Sequence, residues 1–323
     1  MNNPASLNAE TYPWLSGHWS FFMQRLEADR LAHALMIEGP SGVGKTALAH
    51  NMIARLLCCE EQPRACGQCR SCQLFAGGAH PDYFELQPEE DSKVIKVDQV
   101  RALIGKLNLT TSISERKVAY IHPAEVMNGA AANALLKSLE EPAGNTILIL
   151  VSDNPGRLPV TIRSRCQAIS ISQPDFQLVQ NWLEQLTGNP LVQVEAALQA
   201  AGGSPLRAAH FLGSPDQDAF GQVRAGLASL LVRPGSVSQV SSELSQLNPM
   251  DLWRWLSICC GEVIKSIMVG QSLSWMPANP KLRDRSLLEL QRQADINRQL
   301  ASTQVRGDLL LQGWLIRWAE QVV

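Results

Sequence analysis

The spacing of hydrophobic positions changes along the chain, and the change divides it. Between residues 34 and 171, short apolar runs alternate with segments of helical spacing. Ala34-Leu35-Met36-Ile37-Glu38 feeds a glycine-rich turn, and residues 45–58 follow with apolar positions at Leu48, Met52 and Leu56. That order is strand, loop, helix. Val97–Leu107 has helical spacing, Lys117–Ile121 reads as a strand, and Met127–Glu141 reads as an Ala- and Leu-rich helix ended by Pro142. Thr146–Ser152 is an apolar β-branched strand, Asn154-Pro155-Gly156 a turn, and Cys166–Ile171 a last short strand. Strands alternating with helices predict a parallel sheet covered on both faces.

The strand signal stops at Pro174. Residues 175–212 predict three short helices, broken at Gly188-Asn189-Pro190 and at Gly202-Gly203-Ser204-Pro205. A loop at Gly213–Gln217 leads to a region that is helical throughout, with Trp253, Trp255, Trp275, Trp314 and Trp318 as core anchors. Residues 1–30 also read as helical, and residues 58–80, rich in cysteine and glycine, read as an insertion. The fold class is α/β plus all-α, with domains expected at 1–172, 173–213 and 214–323; a length of 323 residues suits two or three domains.

Composition narrows the function. The net charge of −2 gives no global field for nucleic acid, so any DNA contact would come from a local patch or a partner. No apolar run approaches a membrane span, and Met1-Asn2-Asn3-Pro4-Ala5 lacks the basic start and apolar core of an export signal. A cytoplasmic location is expected, where the eight cysteines serve as metal ligands or buried thiols rather than disulfides.

Residues 39–46, Gly-Pro-Ser-Gly-Val-Gly-Lys-Thr, form a complete phosphate-binding loop of the form G-x-x-x-x-G-K-T. Backbone N–H groups from Gly42, Val43, Gly44, Lys45 and Thr46 can cradle a β-phosphate, and the dipole of the following helix adds to them. Lys45 would neutralise the β/γ-phosphates and the Thr46 hydroxyl would ligate Mg²⁺, so ATP or ADP is the expected ligand. Hydrolysis further needs a carboxylate on the metal and a group that orients water. The strand Lys117–Ile121 ends in His122-Pro123, where that acidic pair belongs. Neutral imidazole does not suit a hard cation, and proline has no acid. Glu125 and Asp153 are the only nearby substitutes, so negligible intrinsic ATPase is expected.

Cys66, Cys69 and Cys72 stand at C-x-x-C-x-x-C spacing, with Cys58 eight positions before Cys66. Such spacing lets four thiolates enclose one structural Zn²⁺, with Cys58 or Cys59 as the fourth ligand. Cys166, Cys259 and Cys260 lie in apolar surroundings and read as buried thiols. Arg163-Ser164-Arg165-Cys166 is either a solvated basic turn or an arginine offered to a neighbour's γ-phosphate. The run Asn133–Pro142, taken alone, is an amphipathic packing helix. No spaced acid set for two-metal nucleotidyl transfer is present.

Together these residues resemble the bacterial clamp-loader branch of the AAA+ ATPases. The likeness rests on Ala32-His33-Ala34-Leu35 before the phosphate loop, the four-cysteine module followed by His80-Pro81-Asp82, and Ala132-Asn133-Ala134-Leu135-Leu136-Lys137 through Glu140-Glu141-Pro142. Leu158-Pro159-Val160-Thr161 and Ser164-Arg165-Cys166 complete it; it is dense over residues 12–172 and thin beyond 212. It implies an AAA+ domain, a small helical lid and a C-terminal helical collar. It also implies a pentameric ring with three gamma/tau motor subunits and a delta subunit, which opens a sliding β clamp and places it on primed DNA. Arg165 matches the arginine that acts in trans on the adjacent motor's ATP, and His122-Pro123 places the chain with the inactive members. In Gly203-Ser204-Pro205-Leu206-Arg207 the nucleotide-sensing arginine of active members is one residue late. Two rival readings are an autonomous motor using Glu125 or Asp153, and a zinc-ribbon nucleic-acid binder with a vestigial nucleotide site.

Overall fold

The computed structural model describes residues 12–321 except 91, 215–216, 278–283 and 302–306. The expected helix over residues 1–30 therefore falls partly outside the described residues. Within them, a 3₁₀ turn at Pro13–Leu15 precedes α1 (Ser16–Glu27). The chain divides into two compact units. One comprises the residues up to Leu186 with Ser204–Leu206; the other comprises Thr187–Gly203 and everything from Arg207.

The first unit is built on five strands: β1 (Ala34–Glu38), β2 (Tyr83–Leu86), β3 (Lys117–Ile121), β4 (Thr146–Ser152) and β5 (Gln167–Ser170). All pair in parallel, in the order β2-β3-β4-β1-β5. Every residue of β3 and β4 is buried, as a sheet covered on both faces requires. Alternate positions pack opposite ways. Ala34, Met36, Ala119, Ile121, Leu148 and Leu150 share one cluster with Val100, Leu103 and Leu107 of α4 (Val97–Leu107) and Leu135 and Leu139 of α5 (Gly129–Glu140). The helix after β1, α2 (Lys45–Leu57), contacts β1, β3 and β4.

Three elements of this unit, β2, α3 and the short α6 (Val160–Arg163), lie outside the sequence-based expectation. β2 is a four-residue edge strand containing the acidic Glu85, too short and too mixed to show a period. Inside the cysteine module lies α3 (Arg70–Ala76), two turns long, with Cys69 as N-cap. Helix α5 begins at Gly129, two residues later than its periodicity suggests, because the Asn128 side chain caps it by accepting the Ala131 N–H at 2.8 Å. Lys117 is buried at the foot of β3 and donates to the carbonyls of Lys106, Leu107 and Leu109. It thus places a cation on the orphan carbonyls at the end of α4.

The remaining helices of this unit are the short α6 (Val160–Arg163) and α7 (Phe176–Thr187). The second unit is entirely helical among the described residues: α8 (Leu191–Ala200), α9 (Pro205–Leu212), α10 (Gln217–Val232), α11 (Val237–Leu244), α12 (Pro249–Val269), α13 (Asp284–Leu300) and α14 (Gly307–Ala319). Asn248 caps α12, Pro249 opens it and Gly270 closes it with φ 70°. Trp253, Trp255, Trp314 and Trp318 are buried in one cluster, and Trp314 stacks on Trp318 at 5.7 Å. Two of their indole groups satisfy distant carbonyls: Trp314 Nε1 donates to Leu290 O at 2.9 Å and Trp318 Nε1 to Leu227 O at 3.0 Å. Trp275, expected as a fifth anchor, is only half-buried; its Nε1 donates to Glu262 at 3.1 Å. Cys259 and Cys260 are buried thiols as expected, with burial pushing Cys259 up to about 12. Among the described residues, no helix is long and apolar enough to cross a membrane.

Candidate functional site

Three strand ends converge on the phosphate loop. β1 runs directly into Gly39, β3 into His122 and β4 into Asp153, so the C-terminal edge of the sheet collects them. The loop's backbone is the one its glycines permit. Gly39 has φ 148°, and a Cβ there would sit 2.1 Å from the Ile171 carbonyl oxygen that follows β5. Gly44 has φ 94° and is the N-cap of α2. Any side chain at either position would displace the loop.

The loop is also held from outside. Trp14 Nε1 donates to Val43 O at 2.8 Å, and Tyr12, Trp14 and Trp182 form an aromatic trio with centroids 5.1–5.6 Å apart. The Ser204 hydroxyl donates to Ser41 O at 3.2 Å, and Leu206 N donates to Gly42 O at 3.1 Å. Leu206 thus meets the loop through its backbone.

Lys45 is 4% exposed. Its Nζ donates to Gly39 O at 2.8 Å and Pro40 O at 2.6 Å, and pairs with Asp153 Oδ1 at 2.6 Å. Thr46 is exposed at the start of α2. At the end of β3, His122 is half-buried and lies nearly parallel to Tyr120, with ring centroids 5.9 Å apart. Burial lowers its imidazole below the ordinary range, against the pull of Asp153 and Glu125. It is therefore a neutral ring where a metal-binding acid belongs. Glu125 is engaged in holding the backbone, its Oε1 accepting the Asp153 N–H at 3.1 Å.

The cysteine centre is assembled from α2, α3 and the turns between them. The sulfurs of Cys58, Cys66, Cys69 and Cys72 all lie within 4.8 Å of one another. Cys66 and Cys72 are 3.9 Å apart, close to the edge of about 3.8 Å that a tetrahedron with metal–sulfur bonds near 2.3 Å requires. Backbone N–H groups of Cys66, Cys69 and Cys72 point at the sulfurs of Cys58, Cys66 and Cys69 at 3.2–3.4 Å. Burial opposes a thiolate at Cys69, but backbone donors from Cys59 and Cys72 outweigh it and lower that thiol to about 6. This all-sulfur donor set fits Zn²⁺. Cys59 is exposed and outside the group, so the open choice between Cys58 and Cys59 falls geometrically to Cys58.

Behind this centre lies a buried network of which the sequence shows only the His80-Pro81-Asp82 run. His80 Nδ1 accepts the Asp82 N–H at 3.0 Å, so its Nε2 carries the proton and faces the hydroxyls of Ser71 at 2.8 Å and Ser114 at 3.2 Å. Both serines donate to Leu57 O. The Asp82 carboxylate accepts N–H groups from Ser112, Ile113 and Ser114 at 2.7–2.9 Å. Ser71 lies on α3 between two of the cysteines, so the network ties the module to the body of the unit. Its links from Asp82 and His80 to Ser114 span 32 and 34 residues, a separation that no local pattern reveals.

His50, His80 and His122 are all held below their usual range by burial. Each stays neutral when folded but takes up a proton near pH 6.5 when unfolded. Their contribution to stability is therefore complete above about pH 6.5 and is lost as pH falls towards the folded values. Urea midpoints measured at several pH values from about 7.5 to 5.5 are expected to fall steadily; a midpoint that rises on acidification would contradict this.

Arg165 follows α6 at the same sheet edge as β5. Its Nη2 pairs with Glu140 Oε1 at 2.5 Å and its Nη1 donates to Thr161 O at 3.1 Å, while the side chain stays 36% exposed. Glu140 closes α5, so the run read as simple packing also anchors this arginine.

The family described as "DNA polymerase III, delta subunit" matches residues 15–175. A DNA polymerase III subunit delta' of Pseudomonas aeruginosa is 42% identical over 251 residues, covering 76% of this chain and 75% of the relative. The subunit delta' of Yersinia pestis is 33% identical over 332 residues, covering 95% of each. In structure, a DNA polymerase III gamma subunit-related protein of Thermotoga maritima superposes with a TM-score of 0.50 at 15% identity, over 94% of this chain and 99% of that one, a likeness of fold. On this identity, extending over nearly the full length of a relative, the chain belongs to the delta' subunit family of DNA polymerase III.

Proposed function

We propose that the chain is a non-hydrolysing subunit of the replicative clamp loader, helping to load the sliding β clamp onto primed DNA. One observation carries this reading: an intact phosphate loop faces a strand end, His122-Pro123, with neither metal-binding acid nor water-orienting base. The loop residues Gly39, Gly42, Val43, Gly44, Lys45 and Thr46 would hold ATP or ADP with Mg²⁺, without turnover. Cys58, Cys66, Cys69 and Cys72 would hold a structural Zn²⁺, whose contribution is to cross-link the insertion. Arg165 would reach the nucleotide of a neighbouring gamma/tau subunit in a hetero-pentamer that also contains a delta subunit. Residues 1–172 would be the AAA+ domain, 173–213 the lid and 214–323 the collar.

The motor alternative is poorly supported, because both rescue acids are engaged. Asp153 is paired with Lys45, and Glu125 accepts the Asp153 N–H. The test is reconstitution of the loader with wild-type or Arg165→Ala chain, reading ATPase stimulated by clamp and primed DNA. Loss with the variant supports the proposal, and unchanged activity refutes it.

A further inference from the structure

A lysine ammonium has three protons, and at Lys45 all three are committed. Gly39 O, Pro40 O and Asp153 Oδ1 take them, at 2.8, 2.6 and 2.6 Å. The two carbonyls belong to the loop itself. The third partner is an anion, bound to the ammonium that the loop motif assigns to phosphate oxygen. We infer that Asp153 is a built-in competitor for nucleotide phosphate, and that its pairing with Lys45 sets how tightly this chain holds ATP or ADP. The inference rests on the reading of residues 39–46 as a nucleotide site.

The charges around the loop support it. Asp153, Glu125 and Lys45 all act on the neutral ring of His122 at the end of β3, and Glu38 directly precedes the loop. The Glu125 Oε2 is buried with no hydrogen-bond partner among the described residues. Lys45 is thus paired with one carboxylate, and a second, Glu125, binds the backbone of the first. A polyphosphate entering here would have to take Lys45 from Asp153 and then lie beside both acids. Asp153 is also held in place: its N–H is bound by Glu125, and the next N–H, of Asn154, donates to the Ser152 hydroxyl at 3.2 Å. The side chain itself is 43% exposed, so it can swing out when displaced. The intact loop motif then coexists with weak occupancy, and the weakness comes from a residue outside the motif.

The test is ADP and ATP binding to the purified full-length chain by calorimetry, with Mg²⁺ and again with EDTA. Four proteins are compared: wild type, Asp153→Asn, Lys45→Ala, and the double variant. Thermal melts establish that each is folded, and Asp153→Ser replaces the amide should Asp153→Asn not fold. The expected result is that Asp153→Asn binds both nucleotides roughly tenfold or more tightly than wild type, with and without Mg²⁺, and that adding Lys45→Ala removes the gain. Equal affinity overturns the inference. Weaker affinity in Mg²⁺ alone also overturns it, by making Asp153 a metal ligand. No binding by any variant overturns it together with the nucleotide reading of the loop, while leaving the assembly test of Arg165 untouched.

Discussion

Arg165→Ala is expected to leave the isolated chain folded and to slow hydrolysis at the neighbouring subunit's nucleotide by roughly 10³-fold or more. In the isolated chain the guanidinium makes one ion pair, with Glu140 at 2.5 Å, and one bond to Thr161 O, at a partly exposed site. Exposed pairs contribute about 0–1 kcal/mol, so their loss barely moves the melting temperature. An arginine placed on a transferring phosphoryl group is worth about 10³–10⁵ in rate, because it meets charge that develops only in the transition state. Glu140 holds the fork beside α6 without burying it, which on the proposed reading would orient the group towards a neighbour's phosphate. Arg165→Lys is expected not to restore the rate, since a point charge cannot bind phosphate oxygens bidentately. A variant assembly with wild-type turnover would remove Arg165 from the mechanism and return it to a basic surface turn.

Cys58→Ser is expected to abolish zinc retention and to destabilise the first unit by several kcal/mol, whereas Cys59→Ser changes neither. The contrast is sharp because the two cysteines are adjacent and only one lies in the sulfur group. Structural zinc sites contribute on the order of 10 kcal/mol or more to the fold they close, and a three-cysteine remnant keeps little of it. The loss should reach beyond the loop. Ser71 on α3 joins His80, Ser114 and Leu57 O, and Asp82 binds three successive N–H groups at residues 112–114. Unravelling α3 would leave that buried network incomplete, and a partly satisfied buried network is costly. Metal analysis of the purified variants and their melting curves decide the matter. One zinc per chain in Cys58→Ser and none in Cys59→Ser would reverse the ligand assignment.

What the sequence discloses, and what it hides, follows from how local each feature is. The phosphate loop is eight consecutive residues with a strand before and a helix after, so its chemistry is written in one place. The long buried strands β3 and β4 and the tryptophan-rich second unit are equally readable, because burial on all sides leaves continuous apolar runs or strong anchors. β2 stays hidden because four residues with the pattern half-buried, half-buried, exposed, buried carry no period. Glu140 and Arg165 each belong to a legible motif, yet their pairing joins two separate motifs across the end of a helix. Asp153 reads in sequence as a spare catalytic acid, and the fold instead pairs it with the loop lysine, a residue at the other end of the domain's sequence. Such pairings depend on strand order, β3 and β1 both flanking β4, which spacing along the chain does not encode.

This chain is expected to lack the chemistry of hydrolysis, whatever it binds. The most direct test is steady-state phosphate release by the purified chain alone, in Mg²⁺ and saturating ATP, beside Lys45→Ala as a blank. Identical traces are expected for wild type and blank. Turnover in the wild type that Lys45→Ala abolishes would mean that Glu125 or Asp153 replaces the missing acids, and the chain would have to be read as a motor.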